Sequence, residues 1–199
     1  MNKNSSKKYT LKDGSEITIR AMTRNDVSAL HEFFKHIPEE DRLFLKHDVV
    51  DRRVIEQWAK DLDYNRVLPL LALDGEGRII GDATLHTKDY VWSRHIGEIR
   101  LVVGRAYRSK GVGFALSKEI FLNALERNLL KITAEMAADQ IGAIRVFEKL
   151  GFTREAELKN QILDLKGQTH NLIVMTNDVK EAVKAMERYE TENLVRTTE

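Results

Sequence analysis

Apolar and polar residues alternate with a period of two in several short segments of this chain, which is the pattern of a half-buried β-strand. In the segment 15–20, Ile17 and Ile19 fall on one face, and polar or charged residues fall on the other. Glycine-containing turn signals join two later pairs of such segments, which predicts two hairpins. The predicted strands cover residues 15–20, 66–73, 78–87, 98–103, 130–136, 156–165 and 168–176.

Between these strands, apolar residues recur every three or four positions, as they do on the buried face of an amphipathic helix. The first such segment follows Thr23 to Asp26, which resemble a capping box, and Pro38 ends it. The last one follows the second hairpin, and we expect it to pack on its own domain. The predicted helices cover residues 27–37, 51–62, 116–125, 141–150 and 178–194.

A glycine loop joins the strand 98–103 to the next helix, and its sequence from Arg108 to Gly113 is R-S-K-G-V-G. The first N–H groups of a helix have no intrahelical acceptor, and the peptide dipoles leave partial positive charge at that end. Glycines let backbone amides approach an anion closely, and Arg108 and Lys110 add formal charge. The loop therefore predicts binding of a phosphate or pyrophosphate.

Two other phosphate loops do not fit these residues. A Walker loop ends in Gly-Lys-Ser/Thr, whereas Phe114 and Ala115 follow Gly113 here. A dinucleotide fingerprint needs a third glycine where this chain has Leu116. On these six residues alone, an ordinary glycine-containing turn with two solvated cations stays open.

Two separated motifs resemble those of the GNAT superfamily of N-acyltransferases. Arg108-x-x-Gly111-x-Gly113 has the form of that family's acyl-CoA loop, and the segment 140–152 (Q-I-G-A-I-R-V-F-E-K-L-G-F) resembles its later helix and strand. The motifs occur in the family's order, and the resemblance extends over residues 15–176. It implies an α/β (α+β) fold with a mixed, mostly antiparallel central sheet flanked by helices on both faces.

The resemblance also implies where acetyl-CoA, the acyl donor, binds. Its pantetheine arm would hydrogen-bond to the backbone of the strand that ends at Val103, and the amide of Val103 would polarise the thioester carbonyl. Gln140 replaces the family's usual asparagine with another amide that can reach the pantetheine. The implied cofactor-binding residues are Leu101, Val102, Val103, Arg108, Ser109, Lys110, Gly111, Val112, Gly113 and Gln140.

An acceptor amine with a pKa of about 10 is almost wholly protonated at neutral pH, so a base speeds its reaction. Glu98 stands where many protein-acetylating members of the family carry a catalytic glutamate, and it is the predicted base. The alternative is that Glu98 only pairs with Arg100 or another cation. His86 and His95 are ranked behind Glu98, because a lone histidine is more often structural or solvated.

Phe147 departs from the family pattern, because many relatives carry a tyrosine there that protonates the leaving thiolate. Phenylalanine cannot donate a proton, so water or another residue must do so. The missing tyrosine and the glutamate at position 98 together resemble the protein lysine acetyltransferases of the Pat type. The resemblance therefore suggests a protein lysine as the acceptor.

The composition narrows the classes of function. The chain has 199 residues, a formal net charge of +1 and no cysteine. The near-neutral charge gives no general reason to bind nucleic acid or an anionic membrane, and no apolar run is long enough to span one. Without cysteine there is no thioester intermediate on the enzyme, so acyl transfer passes directly from donor to acceptor. No residue cluster has metal-ligand spacing, so we expect no metal.

The predicted organisation is a disordered leader at residues 1–14, a GNAT acetyltransferase domain at 15–177, and a C-terminal amphipathic helix and tail at 178–199. The predicted location is cytoplasmic, since the polar start does not resemble a signal peptide. The predicted function is N-acetyl transfer from acetyl-CoA to a primary amine of a protein lysine or a small molecule. A non-catalytic acyl-CoA sensor is the alternative from another class, and homodimerisation stays open.

Overall fold

A nine-stranded sheet forms the centre of the molecule in the computed structural model, which describes residues 6–43, 45–193 and 196–198. The strands are β1 (Lys7–Thr10), β2 (Glu16–Ala21), β3 (Val67–Leu73), β4 (Ile79–Thr87), β5 (Ile96–Val103), β6 (Lys131–Ala137), β7 (Thr153–Leu163), β8 (Thr169–Asp178) and β9 (Arg196–Thr198). Their order in the sheet is β7-β8-β6-β5-β4-β3-β2-β1-β9. The pairing of β5 with β6 is parallel and the other pairings are antiparallel, which confirms the predicted mixed, mostly antiparallel sheet.

Helices cover both faces of this sheet, as predicted. They are α1 (Val27–Lys35), α2 (Glu39–Arg42), α3 (Arg52–Lys60), α4 (Val112–Glu126), α5 (Ile141–Lys149) and α6 (Val179–Asn193). Buried residues of α1 and α3 form one core with Val102 packed against it, whereas α4, α5 and α6 share the core that Leu101 and Val103 contact. Successive residues of β5 therefore face opposite helical layers, as the period of a strand requires.

Local contacts explain how α1 begins. The backbone N–H of Thr23 donates to the carboxylate of Asp26 at 2.7 Å, which is half of the predicted capping box. Arg20 holds the same carboxylate with two hydrogen bonds of 2.6 and 2.7 Å. The helix ends at Lys35, three residues before Pro38, so the predicted stop is close to the observed one.

The predicted disordered leader is wrong for its second half, because residues 7–10 form β1 and pair with β2. Tyr9 is fully buried and donates its hydroxyl to Glu119 of α4 at 2.5 Å, and Leu11 is buried as well. Burial of this large aromatic ring, together with the pairing of β1 with β2, holds the segment in the sheet. The first five residues of the leader lie outside the described residues.

The two chain ends meet at one edge of the sheet. The C-terminal helix was predicted over 178–194 and is observed as α6, which buries Val179, Val183 and Met186 in the same core as α4. It is followed by β9, which the sequence analysis included in the tail and which pairs with β1. Packing of α6 on its own domain agrees with the sequence-based expectation.

The sheet opens between β5 and β6. These strands pair only from Ile96 to Glu98 with Lys131 to Thr133, and among the described strands only β4 pairs with the rest of β5. Beyond this point β6 continues along β8 as far as Ala137. We call the gap between the carboxyl-terminal halves of β5 and β6 the open seam.

Candidate active site

The predicted phosphate loop follows the end of β5, at the far end of the open seam from the point where β5 and β6 part. Gly111 precedes the first residue of α4 with a φ of 109°, a left-handed conformation that favours glycine. A Cβ on Gly113 would lie 3.6 Å from the side chains of both Leu101 and Val103, so the first turn of α4 packs directly on the strand. Val112, the first residue of α4, is fully buried and packs in the core beneath the loop.

The backbone of Val103 is oriented toward the open seam. The N–H of Gly104 donates to the carbonyl of Ile80 on the β4 side at 2.9 Å. Backbone groups of successive strand residues point to alternate sides, so the N–H and C=O of Val103 point the other way. The guanidinium of Arg108 donates to this Val103 carbonyl at 3.2 Å. These contacts place the loop and the strand end around one opening.

Both cations of the loop pair with carboxylates. Arg108 donates to Asp41 of α2 at 2.6 Å, and Lys110 lies 3.2 Å from Asp13. Hydrogen bonds from Ser15, and secondarily from Lys110, lower the pKa of Asp13 to about 2. The two cations of the loop therefore bind two carboxylates of the chain itself, those of Asp41 and Asp13.

The one-turn helix α2 lies in the charged connection 39–50 and was not predicted, because its four residues, E-E-D-R, include no apolar position that periodicity could detect. Pro38 stands at its start and Glu39, Glu40 and Asp41 occupy its first turn, where acidic residues are stabilised by the helix dipole. Besides the Asp41 pair, Glu40 contacts Arg105 at 3.3 Å and Glu39 contacts Lys166 at 3.1 Å. Phe44, also in this connection, lies outside the described residues.

We expect Asp41→Asn to tighten CoA binding about two- to fivefold, because an exposed ion pair that competes with a phosphate for Arg108 is worth up to about 1 kcal/mol. Calorimetry with CoA at low and at high salt would measure the change. Glu39→Gln, which removes a neighbouring charge that pairs with Lys166 instead, serves as the matched control. Weaker CoA binding by Asp41→Asn would show that the carboxylate positions Arg108 rather than competing with the ligand.

A cavity of about 200 Å³ lies between the sheet on one side and α1, α3 and residues 45–49 on the other, and we call it the α1–α3 cavity. Its walls are largely apolar, formed by residues such as Met22, Phe34 and Trp58. Its sheet side carries polar groups beside the apolar Val67, Pro69 and Val102. The register of β4 and β5 pairs Asp82 with Val102, Thr84 with Arg100 and His86 with Glu98, and all of these except Glu98 line the cavity.

Glu98, the predicted base, forms an ion cluster at the edge of this cavity. It is 9% exposed, and it accepts hydrogen bonds from Lys46 at 2.7 Å and from Arg100 at 3.0 Å. Lys46 also donates to Glu135 at 2.6 Å. Burial raises the pKa of Glu98, but the contacts with Lys46 and Arg100 outweigh burial and hold it below its ordinary value. The role of Glu98 as a base stays a prediction, and the ion pair with Arg100 is observed.

Asp82 is a buried carboxyl group that the sequence analysis missed. It is 8% exposed, and it forms no ion pair with any cation in the described part of the chain. Burial raises the pKa of Asp82 to about 7, and an interaction with the Thr84 hydroxyl only partly opposes this rise. The signal in the sequence was an aspartate inside the apolar strand segment I-I-G-D-A.

The other residues predicted for the site do not lie together in the structure. Gln140 precedes α5, and its side-chain carbonyl accepts a hydrogen bond from the N–H of Ala137 at the end of β6, at 3.1 Å. His86 lines the cavity, and burial lowers its pKa to about 4, so it is neutral at pH 7. His95 is exposed in the turn before β5. Phe147 is buried and packs edge-on against Phe152 at 5.0 Å.

A sheet with an open seam, a glycine-started helix beside it and an adjoining cavity agree with the fold that the resemblance of the sequence motifs implies. A family model described as acetyltransferase (GNAT) domain matches residues 19–173, and the chain belongs to that family. The class is that of the acetyl-CoA-dependent N-acetyltransferases, and acetyl-CoA is the co-substrate.

Solved structures of this family share the fold at low sequence identity. An acetyltransferase of the GNAT family from Streptococcus pneumoniae is similar with a TM-score of 0.69 and 21% identity, over 81% of this chain and 99% of that one. The GNAT domain of PAT from S. lividans is similar with a TM-score of 0.73 and 19% identity, over 87% of this chain and 96% of that one. The structure of yncA from Salmonella typhimurium with its cofactor acetyl-CoA is similar with a TM-score of 0.68 and 21% identity, over 82% of this chain and 94% of that one.

The described residues include neither a candidate membrane span nor a candidate metal site. No helix there combines the length and the apolar character that crossing a bilayer requires. No group of three or more histidine, cysteine, aspartate or glutamate residues in the same ranges is arranged to hold a metal ion.

Proposed function

We propose that this protein transfers the acetyl group of acetyl-CoA to a primary amine at the end of an apolar stem, in the first place the side chain of a protein lysine. The observation that carries this proposal is the α1–α3 cavity, whose apolar walls end at a polar sheet surface with the buried carboxyl group of Asp82. The four methylene groups of a lysine suit such walls, and its ammonium suits such a floor.

The donor site that we propose comprises the loop from Arg108 to Gly113 and the open seam. The first N–H groups of α4 and the two loop cations would hold the pyrophosphate. Along the seam, pantetheine would hydrogen-bond to the exposed edge of β5, from Leu101 to Val103. Gln140, which accepts a hydrogen bond from the end of β6, would contact the pantetheine from the opposite side of the seam. The orientation of the Val103 amide supports its predicted contact with the thioester carbonyl.

Direct transfer requires no covalent intermediate on the protein, in agreement with the absence of cysteine. The amine must lose one proton before its lone pair attacks the thioester carbon. The oxyanion that develops would accept a hydrogen bond from Val103, a kind of contact worth about 2.7–4 kcal/mol of barrier. Because Phe147 offers no proton, water is the proposed donor to the leaving thiolate.

A small primary amine is the second candidate acceptor, and the size of the cavity favours it. A cavity of about 150 Å³ can hold benzene. The α1–α3 cavity, at about 200 Å³, therefore suits a whole molecule of similar size as well as a lysine side chain. A polyamine fits less well, because its second ammonium would lie against apolar walls.

A thiol-release assay with acetyl-CoA tests the proposal on lysine peptides, n-butylamine, phenethylamine and spermidine. We expect kcat/KM for a lysine peptide to exceed that for spermidine by about tenfold or more, the cost of one poorly placed charge. Mass spectrometry of the peptide should show one added acetyl group on a lysine. Turnover of the small amines without any peptide acetylation would reverse the order of acceptors. Tight CoA binding without thiol release from the whole panel would favour a sensor.

A variant of the cavity wall makes this assay specific for the acceptor site. Val67 is half-buried on β3 and lines the cavity. Val67→Phe should lower kcat/KM for the amine and leave the dissociation constant of CoA unchanged, because the ring would occupy acceptor volume only. Val67→Ile, with the same branching and little added volume, is the control. Equal turnover by both variants would place the acceptor outside the α1–α3 cavity.

A further inference from the structure

We propose that Asp82 accepts the proton that the acceptor ammonium must lose, which makes it a catalytic residue. The inference rests on the proposed function, because it requires the amine to enter the α1–α3 cavity. Asp82 lies on β4 and its side chain faces this cavity, on the same face of the sheet as Thr84 and His86.

The position of Asp82 relative to β5 supports this role. Its register partner is Val102, and directly opposed residues in antiparallel strands have Cα atoms about 4.5–5.5 Å apart. The next residue, Val103, carries the amide that points into the open seam. A carboxyl group at Asp82 is therefore next to the part of β5 where the acceptor nitrogen has to meet the thioester.

The surroundings of Asp82 leave its charge uncompensated. No cation in the described ranges pairs with it, although it is buried to the same degree as Glu98. An isolated carboxylate in such a place is unfavourable unless a partner arrives or a proton binds. An incoming ammonium supplies first the partner and then the proton. The raised pKa of about 7 is consistent with this exchange near neutral pH.

Glu98 is less suited to the same step. Lys46 and Arg100 already neutralise it and hold its pKa low, which weakens it as a base. An ammonium that approached Glu98 would also meet two like charges. We therefore assign Glu98 to positioning, since its ion pairs fix the connection that bears Lys46 over the edge of the cavity.

The proposed step removes two protons from the amine nitrogen and forms one amide bond. One N–H bond of the ammonium breaks, and its proton passes to a carboxylate oxygen of Asp82. The freed lone pair forms the C–N bond to the acetyl carbon, and the C–S bond then breaks with its electron pair left on sulfur. The second proton of the nitrogen passes through water to the thiolate. Asp82 finally releases its proton to solvent, so each turnover yields an amide, a thiol and one proton.

The test compares Asp82→Asn with the unaltered protein. The acceptor is Nα-acetyl-lysine methylamide, in which the ε-amine is free. We expect kcat to fall about 100-fold or more, which is the usual contribution of a general base, with the dissociation constant of CoA unchanged. Asp89→Asn, an exposed aspartate that pairs with Arg66 beyond the end of β4, is the matched control. Glu98→Gln is assayed beside them, and we expect it to keep more activity than Asp82→Asn.

The pH profile separates a base from a structural group. The kcat/KM of the unaltered protein, which reports groups of the free enzyme, should fall as pH drops through about 7, where Asp82 becomes protonated, and this limb should be absent from Asp82→Asn. Burial lowers the pKa of both His47 and His86, so neither accounts for a limb near 7. The other charged groups that line the cavity are Lys46, Asp61 and Arg100.

Stability measurements exclude simple unfolding of the variant. A carboxyl group whose pKa is higher in the folded than in the unfolded state weakens the fold as pH rises from about 4 to 7, so Asp82→Asn should be at least as stable at pH 8. If Asp82→Asn nevertheless fails to fold, Asp82→Ala assayed with and without formate takes its place. Formate should restore part of the lost turnover.

The outcomes distinguish the two proposals. Loss of the limb near pH 7 in a folded Asp82→Asn, or rescue of Asp82→Ala by formate, supports Asp82 as the base. Full turnover by Asp82→Asn at every pH, or a greater loss in Glu98→Gln than in Asp82→Asn, overturns the inference and leaves the proposed function intact. An unaltered protein that acetylates no amine at all overturns both.

Discussion

Replacing Gly113 with aspartate should weaken CoA binding by about 100-fold while leaving the free protein as stable as before. Two unit charges about 5 Å apart interact by about 3 kcal/mol at an effective dielectric constant of 20, so a carboxylate in the first turn of α4 would repel the pyrophosphate strongly. The same carboxylate interacts favourably with the positive end of the helix dipole, and this interaction offsets any cost that replacing glycine has for the stability of the fold. A Cβ at this position meets only ordinary contacts with Leu101 and Val103.

Gly113→Asn is the control for this result, because asparagine has the shape of aspartate without its charge. Calorimetry with CoA and a thermal unfolding curve should be recorded for both variants. A similar loss of affinity in both would assign the effect to bulk and not to charge. Unaltered affinity in Gly113→Asp would mean that CoA does not bind at this helix end, and the donor site would have to be sought elsewhere.

Replacing Phe152 with alanine should lower the free energy of unfolding by about 3–5 kcal/mol, as is typical of a buried aromatic ring. Phe152, directly before β7, is 3% exposed and packs edge-on against Phe121 of α4 and Phe147 of α5, at 5.7 and 5.0 Å between ring centres. For a chain of this size the melting temperature should fall by about 6–20 °C. Denaturant titration would give the free energy directly.

The exposed Trp92, at 87% of its full accessible area, provides the comparison for Phe152→Ala. Trp92→Ala removes a larger ring, yet we expect a change within about 0.5 kcal/mol because the side chain is already in water. Because Phe152 joins the helices that begin at the glycine loop and after Gln140, CoA should also bind less tightly to Phe152→Ala at temperatures where it is folded. Unchanged CoA binding would mean that the two helices hold their positions independently.

Periodicity predicted most of the sheet, because each strand alternates between a core and an opposite face within a few residues. The edges of these predictions differ from the structure by one to three residues, for example 156–165 against Thr153–Leu163. The leader was predicted wrongly because β1 has only four residues and one large buried ring, too few for a periodic signal. Its order comes from contacts with α4, more than a hundred positions away.

The candidate site was predictable where it is local in sequence. The loop from Arg108 to Gly113 is a continuous motif, and its position at the start of α4 follows from helix chemistry alone. The ion pair of Arg108 with Asp41 joins residues 67 positions apart, and no local pattern marks it. Asp82 was missed for a similar reason, since its significance depends on which helices cover β4 and not on its neighbours in the chain.

The open seam also affects the stability of the protein and its resistance to proteolysis. A ligand that lies in it would add hydrogen bonds that β5 and β6 do not make to each other, so the acyl donor would complete the sheet much as a tenth strand would. Ligand at a hundred times its dissociation constant adds about 2.7 kcal/mol to the stability of a folded chain. Resistance to proteolysis would then rise with the supply of acetyl-CoA, and depletion of the donor would both stop the reaction and shorten the lifetime of the enzyme.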